Sequence, residues 1–469
     1  MVRAIVRLLV SAFSAALIAP AVSLVSNFIG ALRRPHAALG ASMHGDGARS
    51  AVGSALPPTP GAEGCLYLDY AATCPIYPDV AAAMAPFFSV QWGNPSSPHV
   101  FGRPTKLAVD GARARVAELL GCAPSEVVFT SCGSESDNWA ILAAVELARA
   151  RLAPGEVPHV VTSAIEHPAV SLCVDALVRE GRATVSRVGV DAWGRVSPAD
   201  VAREVNHRTA LVSVMHANNE VGTLQPIAAI ATAARAVNDA VLVHTDAAQS
   251  VGKVRVSVDA LGVDMLTLVG HKMGAPKGVG ALYVRAGLRL PSFLHGGGQE
   301  GGRRAGTECV PLIVGLGEAA AIWLEQGDEI AAHSATMRDR LLSALEGRLG
   351  HGRVRVNSPI AFGPSKAGEW PSLPNVLSLG VRGARSGDVL DRLASRVAAS
   401  AGAACHSHAS GQVSGVLGEL KVPVEYALGT LRLSVGRHTT AREVDAAAEL
   451  IASAVAAGDS CAQPRTALQ

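Results

Sequence analysis

LTLVGHKMGAPKGVGALYV, residues 266–284, sets two apolar runs around a Gly/Pro-rich turn. LTLV and GVGALYV have the aliphatic and β-branched content of buried strands. The first of them runs directly into Gly270, His271 and Lys272. Ammonium groups avoid the ends of buried strands, because stripping water from an unpaired charge costs several kcal/mol. Lys272 therefore has two readings. It snorkels out of the turn, as Lys277 in the Gly/Pro turn is expected to do. Or it is a desolvated amine with a lowered pKa, a nucleophile that forms Schiff bases with carbonyl compounds.

The same texture extends upstream. VVFTS, HVVTS, ALVSVMH, AVLVHTD, MLTLVG and GALYV alternate with helical patterns such as WAILAAVELARARL and PIAAIATAARAV. Apolar strands separated by helices predict an α/β fold, a parallel or mostly parallel sheet with both faces covered. Ligands of such sheets sit at the carboxyl ends of the strands. A different texture follows: residues 328–349 read as helix, PNVLSLGV and LRLSVG as strands, and SGDVLDRLASRVAAS as a helix opened by Ser386. Thr440 and Glu443 have capping-box spacing before a last helix. The expected organisation is a leader and linker (1–62), a large domain with an N-terminal arm (63–325), a smaller α+β domain (326–459) and a tail (460–469).

Polar residues gather where the strands end. VVFTS runs through Cys132, Gly133 and Ser134 into a helix, a junction whose backbone N–H groups suit a phosphate, although such junctions are common. Asp246 closes VHTD, with Gln249 three residues on. A carboxylate there would keep a pyridine nitrogen of pyridoxal phosphate (PLP) protonated, while the structural alternative requires some other cation beside it. His167 follows another strand and could stack on a ring or move protons, although a lone histidine is more often structural. Asn218 follows a fourth strand and Lys272 a fifth.

At this point the chain resembles a family. YLDYAAT, GNPSS, FTSCGSES, EHPAV, ANNEVGT, HTDAAQSVGK, GHKMGAPKGVGALY, GGGQEGGRRAGTE, SAGAACHS and LRLSVG occur in the order found in cysteine desulfurases and selenocysteine lyases, fold-type I PLP enzymes of aminotransferase class V. The resemblance spans residues 65–455. It implies that Lys272 is the Schiff-base lysine and that Gly133, Ser134 and His271 hold the phosphate. Thr307 would reach that phosphate from a neighbouring subunit of a homodimer. His167 would stack on the ring, Asp246 pair with its nitrogen, and Asn218 and Gln249 contact its oxygen or the substrate. Arg432 would take the substrate carboxylate as a bidentate pair, ahead of nearby Arg437. Cys405, in a small-residue loop, would meet the substrate's sulfur or selenium; the other cysteines, His406 and His408 read as structural. Three positions depart from the pattern: Cys132 replaces a usual Gly, Ser134 a Thr, and Cys74 a common Thr.

Val269 before GHK, where desulfurases typically place Ser, favours a selenocysteine lyase, as do HTDAAQ and the GAACHS surround of Cys405. Pro168 after His167, where animal lyases carry an acid, favours a cysteine desulfurase, and either could hand selenium or sulfur to an acceptor protein. The rival of another class is a catalytically silent PLP-fold binding protein.

Composition indicates a globular protein with a large buried core: 49% of the 469 residues are hydrophobic and 17% charged. The net charge of +2 conceals a leader with five arginines and one acid, a surplus of four, so the body stands near −2. No nucleic-acid motif occurs, and no nucleic-acid partner is expected. The eight cysteines form no CxxC and no zinc spacing, which predicts a reducing compartment and no metal. Residues 1–45 hold Arg3, Arg7, Arg33 and Arg34 around an apolar stretch (8–32) and no acid. This reads as import into a mitochondrion or plastid, with a signal sequence, a membrane anchor or a cytoplasmic form starting at Met43 as alternatives.

Overall fold

Both faces of one sheet are buried, and that decides the architecture. The computed structural model describes residues 51–53, 64–360, 371–401 and 413–462. The leader up to residue 50, Cys405 with His406 and His408, and the tail from residue 463 lie outside the described residues. In chain order the described strands begin with β1 (Leu66–Tyr67), β2 (Val127–Thr130), β3 (His159–Ser163), β4 (Thr184–Val188), β5 (Thr209–Ser213) and β6 (Leu242–Asp246). They continue with β7 (Met265–Val269), β8 (Gly280–Val284), β9 (Val354–Val356), β10 (Val376–Val381), β11 (Val397–Ala398) and β12 (Thr430–Ser434).

Seven strands form the large sheet in the order β2-β8-β7-β6-β5-β3-β4. Side chains alternate between two cores along each strand. Val127, Phe129, Leu266, Leu268 and Ala281 enter one core, while Val128, Met265 and Leu282 enter the other. Continuous apolar runs are the result. β8 alone runs antiparallel to both its neighbours. The ten residues joining β7 to β8 are too few for a parallel crossover, which needs a dozen or more. β4 was not anticipated from the sequence. It is an edge strand, TVSRV, mostly half-buried or exposed, and so carries no apolar run.

A second core, built on Leu341, Leu345, Leu377, Leu379, Leu431, Leu433 and Ile451, packs around an antiparallel sheet ordered β12-β10-β9. One 40-residue helix, Val310–Leu349, serves both cores: residues up to Ala331 pack on the first and those from Met337 on the second. The expected division at 325/326 thus falls inside a continuous helix. The helix expected over 386–400 ends at Leu393. Val397 and Ala398 instead pair with Leu66 and Tyr67, where tertiary hydrogen bonding overrides the local pattern. The Thr440/Glu443 capping box is present, with Glu443 Oε2 accepting from Thr440 N at 2.7 Å and Thr440 Oγ1 accepting from Glu443 N at 3.2 Å.

Glu300 ties the glycine-rich segment before the long helix to β2. Its carboxylate accepts from Arg113 at 2.6 and 2.7 Å and from Phe129 N at 2.9 Å. Glu300→Ala leaves a mostly buried guanidinium unpaired and is expected to cost about 3 kcal/mol of stability in denaturant unfolding. A loss below about 0.5 kcal/mol, the level of an ordinary surface change, would mean that water replaces the carboxylate.

Candidate active site

With β8 set aside, the strands of the large sheet run parallel, so their carboxyl ends share one edge. Gly133 and Ser134 follow β2, His167 follows β3, Asn218 follows β5, Asp246 ends β6, and His271 and Lys272 follow β7. The structure therefore brings these residues to one edge of the sheet.

Asp246 is buried, and its Oδ1 accepts from Ala248 N at 2.8 Å. Beneath it lies a set of groups that sequence reasoning missed. Asp137, from the helix Gly133–Arg149, is fully buried, and its Oδ1 lies 3.7 Å from His244 Nε2 with no hydrogen-bond partner among the described residues. Burial first, and then the Asp246 charge, push Asp137 well above the usual carboxylate range; the Lys272 ammonium opposes this from nearby. Glu166 is pushed up to about 8 by burial, although it accepts from Ser163 Oγ and Met215 N. His244 is held neutral by burial, its pKa lowered to about 4. Burial in the floor of the site thus works against negative charge on Asp137 and Glu166 and against positive charge on His244.

The N-terminus of the 17-residue helix Gly133–Arg149 faces the same edge. Gly133 is required there, because a Cβ would lie 2.6 Å from Val269 Cγ1. Ser134 is exposed, as is Cys132 at the N-cap. Glu135 in the first turn is held by Arg304 at 2.8 and 3.0 Å. Burial raises its pKa, but Arg304 and the Ser131 donors prevail and hold it below its ordinary value. His167 caps the helix Pro168–Arg179, with Nδ1 accepting from Ala169 N at 3.1 Å. That bond fixes the imidazole ring at the strand end.

Lys272 stands in a one-turn 3-10 segment, half-buried, while Lys277 is exposed. The carbonyl of Lys272 accepts from Lys253 Nζ at 2.8 Å and from Cys74 Sγ at 3.2 Å. Lys253 is a second missed residue. Its only sequence signal was a cation closing HTDAAQSVGK, and burial lowers its pKa to about 8. Burial raises the Cys74 thiol, against the opposing pull of Lys253, Lys272 and Lys277. His271 is lowered to about 4 by burial and by Lys272, Lys277 and Lys253, and its Nδ1 lies 3.2 Å from Thr73 Oγ1.

The remaining expected residues divide. Asn218 is fully buried, and its amide holds its own turn: Oδ1 accepts from Glu220 N and Val221 N, and Nδ2 donates to Ile165 O. Gln249 Nε2 donates to Ala71 O at 3.0 Å, leaving Oε1 buried without a partner among the described residues. Arg432 on β12 reaches the turn after β5, donating from Nη1 to Asn219 O at 3.0 Å. Thr307 is exposed.

A group bearing a phosphate and a protonatable ring fits these residues. Helix amides and a glycine with no room for a side chain suit the phosphate, Asp246 suits a ring cation, and Gln249 Oε1 is an orphan acceptor.

The comparisons with known proteins agree. The aminotransferase class-V family matches residues 66–447. Human selenocysteine lyase is 39% identical over 419 residues, covering 83% of this chain and 92% of that protein. A cysteine desulfurase of Nostoc sp. is 40% identical over 387 residues, covering 82% and 92%. A solved structure described as a NifS-like protein is 34% identical with a TM-score of 0.75, covering 84% of this chain and 99% of its own. Another, described as SspA in complex with cysteine, is 32% identical with a TM-score of 0.63, covering 80% and 100%. The chain belongs to the aminotransferase class-V family, and its relatives there include PLP-dependent selenocysteine lyases and cysteine desulfurases.

Proposed function

We propose that the chain binds PLP through Lys272 and removes selenium from L-selenocysteine, giving L-alanine and, with electrons from an external thiol reductant, selenide. PLP, when bound, supplies an electron sink for the pair left at Cα. The protein residues do the rest. The amides at Gly133 and Ser134, with His271, hold the phosphate, and Thr307 of a second copy completes that cradle. His167 covers the ring, and Gln249 and Asn218 border its oxygen. Lys272 Nζ takes the proton from the substrate Cα. Arg432 binds the substrate carboxylate, and Cys405 meets the selenium.

The observation that carries the lyase reading is Val269. It closes β7 as a buried residue against Gly133, and so puts an apolar side chain beside the phosphate cradle where desulfurases typically have a hydroxyl. The second reading, a cysteine desulfurase, rests on Pro168 directly after His167 and on relatives of both activities at matching identity. Alanine release from L-selenocysteine and from L-cysteine, compared as kcat/KM, tests the choice. A strong preference for selenocysteine is expected. Equal or better turnover of cysteine would overturn the lyase reading in favour of the desulfurase.

Two features support a homodimer. Thr307 is exposed, and Phe88, Val90, Trp92, Val100 and Phe101 expose apolar surface on one segment, with Trp92 and Phe101 stacked at 5.4 Å. A fully active monomer at assay concentration would contradict the shared site. Organellar import of the leader belongs to the same proposal, tested by the N-terminal sequence of the mature protein.

Asp246→Asn is expected to retain PLP yet lower turnover by roughly a hundredfold, the scale of one preorganised electrostatic contact. Unchanged rates would make Asp246 structural.

A further inference from the structure

Arg432 is almost fully buried, yet its five donors are unevenly used. Nη1 donates to Asn219 O at 3.0 Å, and Nη2 donates to Asp69 Oδ1 at 2.8 Å and Ser400 Oγ at 3.2 Å. Nε is buried with no partner among the described residues. The Nε–H and one Nη2–H lie on the same edge of the guanidinium, the fork that a carboxylate fills with two parallel bonds. Asp69 gives Arg432 only one oxygen. Its other oxygen, Oδ2, accepts from Ser400 Oγ at 3.0 Å. The Asp69 side chain keeps 17% of its surface exposed against 2% for Arg432, so it retains a path to water that the arginine lacks.

We propose that Asp69 is a placeholder for the substrate carboxylate. It neutralises the buried Arg432 while the site is free of substrate, and it yields the Nε/Nη2 fork when an amino acid binds. This inference rests on the reading of Arg432 as the carboxylate-binding residue. The physical reason for exchange is the count of bonds. A monodentate aspartate leaves Nε without an acceptor in a buried place, which is costly, whereas a bidentate α-carboxylate satisfies both donors. The partial exposure of Asp69 then lets its displaced charge be hydrated. Asp69 in this role is a positioning residue that sets how strongly the pocket discriminates amino acids from simple amines.

The test compares L-alanine with ethylamine, which is alanine without its carboxylate. Both are titrated into PLP-loaded protein and their dissociation constants read from the shift in visible absorbance. In Asp69→Asn the amide keeps the shape but loses the competing charge. L-Alanine is expected to bind about tenfold tighter, the scale of a hydrogen bond to a charged group, while ethylamine is unchanged. Ser400→Ala, which removes the hydroxyl steadying Asp69, should shift the same ratio in the same direction by a smaller factor. Arg432→Lys tests the underlying reading, and should weaken L-alanine but not ethylamine. If Arg432→Lys weakens L-alanine while Asp69→Asn leaves it unchanged or weaker, Asp69 is a permanent orienter of the arginine and the placeholder role is overturned. If Arg432→Lys leaves L-alanine unchanged, the carboxylate binds elsewhere and the reading of Arg432 itself falls.

Discussion

Lys272→Ala is expected to yield a folded, colourless protein that gains no lysine-bound cofactor when PLP is added and has no measurable turnover. Loss of proton transfer at Cα alone would lower the rate by about 10²–10⁴-fold, and loss of covalent capture adds to it. The fold should survive, because the local anchor is the backbone carbonyl of residue 272. That oxygen accepts from Lys253 Nζ and Cys74 Sγ whatever side chain follows it. Circular dichroism and thermal unfolding against the parent protein separate a lost cofactor from a lost fold. A variant that stays yellow and active would move the chemistry away from the end of β7.

Cys405→Ser is expected to eliminate cysteine desulfuration altogether and to leave part of the selenocysteine breakdown. In the cysteine reaction the Cys405 thiolate attacks the substrate sulfur. An S–S bond forms as the C–S bond breaks, a persulfide remains on Cys405, and the product carbon is protonated to alanine. A serine hydroxyl forms no such bond. The C–Se bond is weaker than the C–S bond, so it breaks with less help: the carbon keeps the bonding pair and is protonated to alanine, selenium departs at the zero oxidation level, and an external thiol reduces it to selenide. Assays of alanine release with both substrates check the split, and mass spectrometry of the parent protein checks for the persulfide. Loss of both activities to the same extent would show that Cys405 attacks selenium as obligatorily as sulfur.

What the sequence revealed follows from burial. β2, β3, β5, β6, β7 and β8 are buried on both faces, and each left a continuous apolar run that could be read without knowing its neighbours. β4, open along much of its length, left none. β11 was hidden inside a helical pattern, because its pairing with β1 joins segments more than 300 residues apart.

The candidate site divides in the same way. Lys272, Asp246 and His167 stood out as polar residues at the ends of apolar strands, a contrast carried by adjacent residues. Asp137 and Lys253 lie within helical or mixed segments, and only the packed sheet makes them buried neighbours of the site. The Asp69–Arg432 pair spans 363 residues and gives no local sign. Asn218 was legible as a strand-end amide, but not as the residue that ties its own turn together.

Borohydride reduction of the PLP-loaded protein, followed by peptide mapping, tests the placement of the site most directly. Reduction fixes the cofactor to whichever amine holds it. Two other lysines compete on physical grounds: Lys253, buried and lowered to about 8, and the exposed Lys277. The expected result is a single pyridoxyl label on Lys272. Label on Lys253 or Lys277, or no label at all, would contradict a cofactor site at the end of β7.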